Sequence, residues 1–221
     1  MPRSPADPES FIREHTALEA PAMVPELRLW LAAEYLPIWQ ATEAWLEERN
    51  VDPPYWAFCW PGGQAMARYL LDNPDTVAGR TVIDFAAGCG VASLAAMKAG
   101  AARATGNDID PMAVASMRLN AEANGLGIET SADDWLAGAP ATPEAEIVIA
   151  GDVCYEREMT ARAMVWLRGH AAAGRLVLLG DPGRNYFTAD RLVEMARYQI
   201  PTSLQLENRG LRETVVWRVL P

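Results

Sequence analysis

The sequence predicts an α/β protein: a mostly parallel sheet with helices on both faces and an antiparallel strand at one edge. Three observations carry this. Beyond residue 78, short apolar runs alternate strictly with helix-like segments, the pattern of strands joined by crossover helices. Two of these runs, Glu146-Ile-Val-Ile-Ala and Arg175-Leu-Val-Leu-Leu, are apolar almost throughout, as strands covered on both faces are. The chain closes with two β-like runs separated by Asn208-Arg-Gly210, a turn signal that brings in the antiparallel strand.

The elements follow in order. Pro8 to Leu18 reads as a helix with Asp7 at its N-cap, and Glu26 to Leu31 as a strand-like piece. A Trp-rich segment precedes residue 78. The first strand of the alternating part is Thr81 to Phe85, followed by an Ala-rich helix over Val91 to Ala99. Ala102 to Asn107 is a second strand. Pro111 to Asn124 is a helix that opens on proline, where a missing N–H costs nothing. Ile128 to Ser131 is a third strand and Glu146 to Ala150 a fourth. The helix Glu156 to Arg168 leads to a fifth strand, Arg175 to Leu179. Thr188 to Tyr198 is expected to be helical, and Ser203 to Glu207 and Glu213 to Val219 to be the closing strands.

Composition narrows the function. Half of the 221 residues are apolar, so a full core is expected, and the net charge is −10. Lys98 is the only lysine; the other 18 of the 19 basic residues are arginines. So acidic a chain argues against nucleic-acid binding and suits a basic partner. Three scattered cysteines and two histidines give no zinc-site spacing, so no metal is expected. Sparse, unpaired cysteines point to a reducing compartment. Without an apolar run of membrane-spanning length or a leader pattern, the expectation is a soluble cytoplasmic protein.

In sheets of this kind ligands bind beyond the carboxyl ends of the strands. The first strand runs into Asp84-Phe-Ala-Ala-Gly-Cys-Gly90. Glycines there let backbone approach a ligand and leave helix N–H groups free. A dinucleotide loop would carry a third glycine where Ser93 stands, and Asp84 would repel a pyrophosphate. An acid suits a ligand with a positive amino group, such as S-adenosylmethionine; the alternative is a tight turn without a ligand. Asp108 follows Gly88 by about 20 residues, the spacing at which a carboxylate accepts both ribose hydroxyls. Asp110 is the expected cap of the helix opened by Pro111. After the third strand, Asp133 is the candidate for the adenine amino group and Trp135 for the ring face; a polar loop around a half-buried Trp is the alternative.

The fourth strand ends in Gly151-Asp-Val-Cys-Tyr155, where the methyl group should point. A lysine amine, with a free pKa of about 10.4, must lose its proton before it attacks. A carboxylate beside an aromatic ring can hold the ammonium, orient it and help it lose that proton. Asp152 and Tyr155 are the candidates for catalysis, with helix capping as the other use of Asp152. Asp181 and Arg184, in Gly180-Asp-Pro-Gly-Arg184, stand at a substrate entrance or in a plain turn. Tyr55, Trp56, Phe58 and Trp60 put four aromatics in six residues. They form either a lid that excludes water or packing for the N-terminal arm.

These motifs, in this order, resemble the seven-strand S-adenosylmethionine-dependent methyltransferases. Pro54-Tyr-Trp-Ala, Trp60-Pro-Gly-Gly-Gln-Ala65, Asn107-Asp-Ile-Asp-Pro111 and Gly180-Asp-Pro-Gly-Arg184 are similar to the lysine methyltransferases of the electron transfer flavoprotein β-subunit, over about residues 22–221. The resemblance implies a Rossmann-like seven-strand methyltransferase sheet of order 3-2-1-4-5-7-6, its last strand antiparallel. Residues 1–77 would form a helical, aromatic, cleft-covering arm and 78–221 the methyltransferase core, one compact domain overall. It implies S-adenosyl-L-methionine as donor and protein lysines as acceptor. Trp60, Asp84, Ala86, Gly88, Asp108, Ile109, Asp133, Asp134 and Trp135 would bind the cofactor. Asp152 and Tyr155 match the Asp-x-x-Tyr motif linked to the acceptor, with Tyr55, Trp56, Asp181 and Arg184 as substrate contacts. The partner would be the electron transfer flavoprotein β-subunit, the enzyme a bacterial-type monomer. Ala86 departs from the family's first loop glycine, and no basic targeting arm precedes residue 22. Methylation of a ribosomal protein or a small amine, a catalytically quiet cofactor-binding module and a nicotinamide oxidoreductase are the rivals.

Overall fold

The computed structural model describes residues 4–33, 36–41, 43–138, 142–202, 207 and 210–221. Helix α1 (Pro8–His15) is capped by Asp7, whose carboxylate accepts from the Ser10 amide at 3.0 Å. It ends before Leu18, because Ala17–Glu19 forms β1, paired antiparallel with β2 (Leu29–Leu31). Helix α2 (Glu43–Glu48) and α3 (Pro61–Asp72) complete the part before the main sheet.

The main sheet holds β3 (Thr81–Phe85), β4 (Arg103–Asn107), β5 (Glu129–Ser131), β6 (Ile147–Gly151), β7 (Leu176–Asp181), β8 (Leu192–Pro201) and β9 (Leu211–Val219). Their order is β5-β4-β3-β6-β7-β9-β8. The first five are parallel, and β9 runs antiparallel between β7 and β8. This is the expected order with its antiparallel last strand. Helices α4 (Val91–Lys98), α5 (Pro111–Asn124) and α6 (Arg157–Ala172) are the crossovers. Asp110 caps α5 through the Met112 amide at 2.8 Å.

Alternation within the strands divides the core. Val82, Ile147, Ile149 and Leu178 pack with α3 and α4 residues such as Met66, Leu70 and Ala96. Ile83, Phe85, Val148, Ala150, Val177 and Leu179 face Ala163 and Leu167 of α6. Each such aliphatic side chain contributes about 1.5–3 kcal/mol.

The structure corrects one element. Thr188 to Tyr198 is not a helix: β8 begins at Leu192 and pairs with β9 from Leu192↔Val219 to Pro201↔Leu211. Met195, Ala196 and Arg197 favour helix locally, but Ala196, Tyr198 and Ile200, at alternate positions, reach the core of α3. Packing on a sheet outweighs local preference. The expected strand Ser203 to Glu207 and the turn 208–210 lie mostly outside the described residues; Glu207, which is described, is helical.

The start of α3 meets the main sheet especially closely. The first turn of α3 lies on the ends of β6 and β7. A Cβ on Gly62 would meet the Gly180 carbonyl oxygen at 2.4 Å and Asp152 atoms at 2.6 Å. One on Gly151 would meet the Gly63 nitrogen at 2.8 Å, and one on Gly180 the Gly62 carbonyl oxygen at 2.4 Å. The atoms in the way are mainly backbone and have nowhere to yield. Gly62→Ala is therefore expected to lower unfolding stability by about 3 kcal/mol or more, read as the denaturation midpoint. Gly138, around which a Cβ would meet nothing although its φ is +83°, provides the comparison: Gly138→Ala should cost about 1 kcal/mol.

Candidate active site

A cavity of about 750 Å3 opens over the carboxyl ends of β3, β4 and β6. Its floor is Phe85, Ala86 and Gly88; one wall is Asn107, Asp108, Ile109 and Asp110; another is Asp134, Trp135 and Leu136. Gly151, Asp152, Tyr155 and Arg184 close the far side, with Tyr55, Trp56 and Trp60 across from them.

Two of the carboxylates that shape the glycine loop are tied to backbone. Asp108 accepts from the Gly88 amide and from the Asp110 amide, both at 3.0 Å. It thereby clamps the loop after β3 to the end of β4, and burial raises its pKa despite those amides. Asp84 is buried beneath the loop and is not among the residues lining the cavity. It accepts from the Ser93 amide at 2.9 Å and the Ser93 hydroxyl at 2.7 Å. Burial lifts its pKa to about 7, with the charge of Asp108 adding to the rise and the Ser93 bonds opposing it. Ala86 sits at φ 53° and Gly88 at φ 53°. The first is in the left-handed region that costs a side-chain-bearing residue about 1–2 kcal/mol.

At the far side, Asp152 is buried and also left-handed, at φ 58°. Its amide donates to the Gly180 carbonyl at 2.9 Å. One carboxylate oxygen accepts from the Gly62 amide at the start of α3. The other accepts from Arg184 Nε at 2.7 Å. Burial raises the pKa of Asp152 to about 6; Arg184 pulls it down and Asp181 pushes it up. Tyr155 is half exposed, its ring centroid 6.0 Å from that of Tyr55. Tyr55 in turn lies 6.1 Å from Trp60, whose indole N–H donates to the Tyr55 carbonyl at 2.9 Å.

The aromatic segment packs the N-terminal part of the chain, as expected of one of its two uses, and also lines the cavity. Trp56 and Phe58 are buried with Phe11, Met112 and Leu119, fastening the arm onto α5. Tyr55 and Trp60 stand at the cavity mouth. Asp134, not Asp133, reaches the cavity. Asp133 is exposed and accepts from the Ser131 hydroxyl at 2.7 Å. Asp134 caps the turn at Trp135 by accepting from the Leu136 amide at 3.0 Å. Asp181 is buried and accepts from the Gly183 and Arg184 amides at 2.7 and 2.8 Å. Glu207 and Arg212, which complete the surroundings of Arg184, are not singled out by the sequence, since they lie far from every loop motif.

The donor set fits an adenosine that carries a cationic tail. Apolar rings flank the cavity, Asp108 offers a carboxylate at the glycine loop, and a Cβ on Gly88 would meet nothing, so the loop is open there. The buried indole nitrogen of Trp56, which lines the cavity, has no hydrogen-bond partner among the described residues. Phosphate-binding cations are sparse: Arg162 and Arg184 are the lining residues with positive charge, and both are paired with carboxylates.

Fold and site together define an S-adenosylmethionine-dependent methyltransferase. The ribosomal protein L11 methyltransferase family matches residues 65–152. Among solved structures, the ribosomal protein L11 methylase of Lactobacillus delbrueckii subsp. bulgaricus shares the fold (TM-score 0.51, 18% identity, 83% of this chain and 93% of that one). So does the magnesium protoporphyrin IX methyltransferase of Synechocystis with bound SAH (TM-score 0.52, 17%, 72% and 81%). The electron transfer flavoprotein beta subunit lysine methyltransferase of Xenopus laevis is 39% identical over 97% of this chain and 87% of its own length. The chain belongs to that lysine methyltransferase family.

Two outcomes are expected. Asp84 releases its proton less readily in the folded chain than in the unfolded one. Its ionisation therefore works against the fold, growing from its ordinary value of 3.8 and complete above about 7. Stability from this group rises as pH falls from 8 to 5. His170, lowered from 6.5 to about 4 by burial and Arg175, acts in the opposite sense over part of that range. The measurement is thus a difference: Asp84→Asn should flatten the pH dependence of the unfolding midpoint relative to wild type, by on the order of 1 kcal/mol per pKa unit removed. Separately, Ala86→Gly should relieve left-handed strain and raise the midpoint by up to about 1 kcal/mol, the gain being reduced by glycine's freedom in the unfolded chain.

Proposed function

We propose that this enzyme transfers the methyl group of S-adenosyl-L-methionine to lysine ε-amines of the electron transfer flavoprotein β-subunit. The observation that carries this is the far wall of the cavity. A buried carboxylate, Asp152, lines the same cavity as Gly88 of the glycine loop, and the partly exposed rings of Tyr155, Tyr55 and Trp60 line it beside one another. That is an entrance for a long apolar stem ending in a cation. The likeness to the Xenopus relative over 97% of the chain supports the acceptor.

When bound, the cofactor supplies a sulfonium-activated methyl group. The residues of the chain position and hold. Asp108 would take the ribose hydroxyls, with Ile109 beside it and Ala86 and Gly88 beneath. Trp135 would cover the adenine. Asp134 stands closer to that role than Asp133 does, because it lines the cavity. Asp84, from below, would hold the loop through Ser93, and a nearby ammonium would favour its ionised form. Tyr55, Tyr155 and Trp60 would close around the lysine stem and exclude water. Asp152 would hold the incoming ammonium, orient it and favour loss of its proton before attack. Alignment in a dry channel supplies most of the rate gain, since no covalent step on the protein is needed.

The match to the ribosomal family covers residues 65–152. Tyr55, Trp60, Tyr155 and Arg184 lie outside that span, so it bears on the cofactor half and leaves the acceptor open. A net charge of −10 disfavours nucleic acid and suits a basic acceptor, and three free cysteines fit a reducing compartment; the enzyme would act there as a monomer.

Incubation with labelled cofactor and a mixture of purified electron transfer flavoprotein, ribosomal protein L11 and a small amine is the test. Label on lysines of the β-subunit is expected; label on ribosomal protein L11 or a small amine, or none, overturns the acceptor. Asp152→Asn should lose transfer by about a hundredfold or more and keep cofactor affinity in calorimetry. Wild-type transfer by that variant removes Asp152 from its role. Activity should also rise as pH climbs through about 6, where Asp152 ionises.

A further inference from the structure

Arg184 lines the cavity, yet its bonds run inward. Its Nε and Nη2 both contact one oxygen of Asp152, at 2.7 and 2.5 Å. Nη1 and Nη2 make a forked pair with Glu207 at 3.0 and 2.8 Å. Glu207 is buried, and Arg212 of β9 approaches it from behind, 3.1 Å from Nε to Oε2. The guanidinium also lies 5.7 Å from the centre of the Trp60 ring. The loop that carries it is pinned at two points: Asp181 accepts the Arg184 amide, and the Tyr186 amide donates to the Cys154 carbonyl at 3.3 Å.

A guanidinium so engaged is a poor ligand for a lysine, which carries the same charge. It is well placed for another task. A carboxylate on one rotatable stem is aimed only if its oxygens are held, and a forked, planar cation holds one better than a point charge does. On Asp152, Arg184 occupies one oxygen with two N–H groups and Gly62 takes one site on the other, so the oxygen bound by Gly62 is the one with a lone pair left for an amine.

We propose that Arg184 is a positioning residue. Backed by Glu207 and Arg212, it fixes and keeps ionised the Asp152 carboxylate that meets the acceptor amine. The proposal rests on the reading of Asp152 given above.

The charged and titratable groups around Asp152 are Cys59 and the amide end of α3, Cys154 and Tyr155 beyond β6, Asp181 and Arg184 beyond β7, and Glu207 and Arg212 behind them. Of these, Arg184 is the cation in contact with the carboxylate. Burial and Asp181 both favour the protonated acid, and Arg184 opposes them. Without the cation, the carboxyl stays protonated further into the neutral range, and the acid limb of the rate profile moves up.

The test compares Arg184→Gln, Arg184→Ala, Arg184→Lys, Glu207→Gln and Asp152→Asn. Steady-state transfer from labelled cofactor to the acceptor is followed across pH, with cofactor affinity measured alongside. Arg184→Gln should lower kcat by about tenfold or more and shift the acid limb upward by about one pH unit, with cofactor affinity within about twofold. Added guanidinium should restore part of the rate to Arg184→Ala. Arg184→Lys should keep the limb near its place but lose rate, because an ammonium cannot make the fork. If Arg184→Gln does not fold, Arg184→Ala folded in the presence of guanidinium decides: the rate should fall and the limb move up as guanidinium is withdrawn, and both should recover in part when it is restored. Wild-type rate and limb in Arg184→Gln overturn the proposal. So does a loss of rate with no shift of the limb and no rescue, which is what a purely structural role gives. Wild-type rate in Glu207→Gln also counts against it. An active Asp152→Asn removes the reading on which the proposal rests; an inactive one beside an unaffected Arg184→Gln removes the proposal alone.

Discussion

The site depends on one close approach, between the first turn of α3 and the ends of β6 and β7. Gly62 and Gly63 lie so near Gly151, Asp152 and Gly180 that added side chains would strike backbone. Three consequences follow from this contact. The Gly62 amide, unsatisfied within its own helix, reaches the Asp152 carboxylate. The positive end of the α3 dipole falls beside that negative charge. The residues before Pro61 are delivered to the cavity mouth, so the aromatic segment fastens the arm with Trp56 and Phe58 while presenting Tyr55 and Trp60. Pro61, as first helical residue, brings no N–H that would need a partner there.

Charge is the second constraint. Asp84, Asp108, Asp110, Asp152 and Asp181 are each pushed toward the protonated form by burial. Backbone amides answer at every one of them: Ser93 at Asp84, Gly88 at Asp108, Met112 at Asp110, Gly62 at Asp152, Gly183 at Asp181. Among the described residues, Asp152 is the one of these five with a directly bonded arginine, Arg184. A site with this surplus of carboxylates favours ligands that bring positive charge, and both a sulfonium cofactor with its ammonium and a lysine acceptor do. The net charge of −10 therefore has two parts: these acids at strand ends, and a solvated surface whose acids are often paired, as Glu26 with Arg68 and Glu194 with Arg197.

Much of this is legible in the sequence because strand ends carry their own signals. Apolar runs mark β3, β6 and β7, and residues at or just beyond strand ends come near the crevice, although Asp84 and Asp181 are buried and do not line the cavity. Asp108 beyond β4, Trp135 beyond β5, and Asp152 and Tyr155 beyond β6 are read as candidates from such positions, and all four line the cavity. Legibility fails where partners are distant. Leu192 to Pro201 carries apolar residues in both phases and good helix formers, and only pairing with β9 decides in favour of a strand. The choice between Asp133 and Asp134 turns on one hydrogen bond to Ser131 against one to Leu136. The inward turn of Arg184 depends on Glu207, which no loop motif announces.

The glycine loop shows how a departure from pattern is absorbed. In a dinucleotide fold the third glycine lets helix and strand pack closely. Here Ser93 occupies that place and is fully buried, and its hydroxyl and amide both bind Asp84. The close packing is transferred to other positions. Met117 of α5 fills the space beside Gly90 and Gly106, where added Cβ atoms would meet its Cγ at 2.8 Å and its Sδ at 2.4 Å. Asp84 and Ser93 thus act as a buried brace between β3 and α4, and the loop above them keeps its shape with alanine at position 86 in a left-handed conformation. Asp108 supplies the opposing tie through Gly88. With the loop held from below and from the side, one strained residue is tolerated, and the backbone amides that would face a ligand are fixed before it arrives.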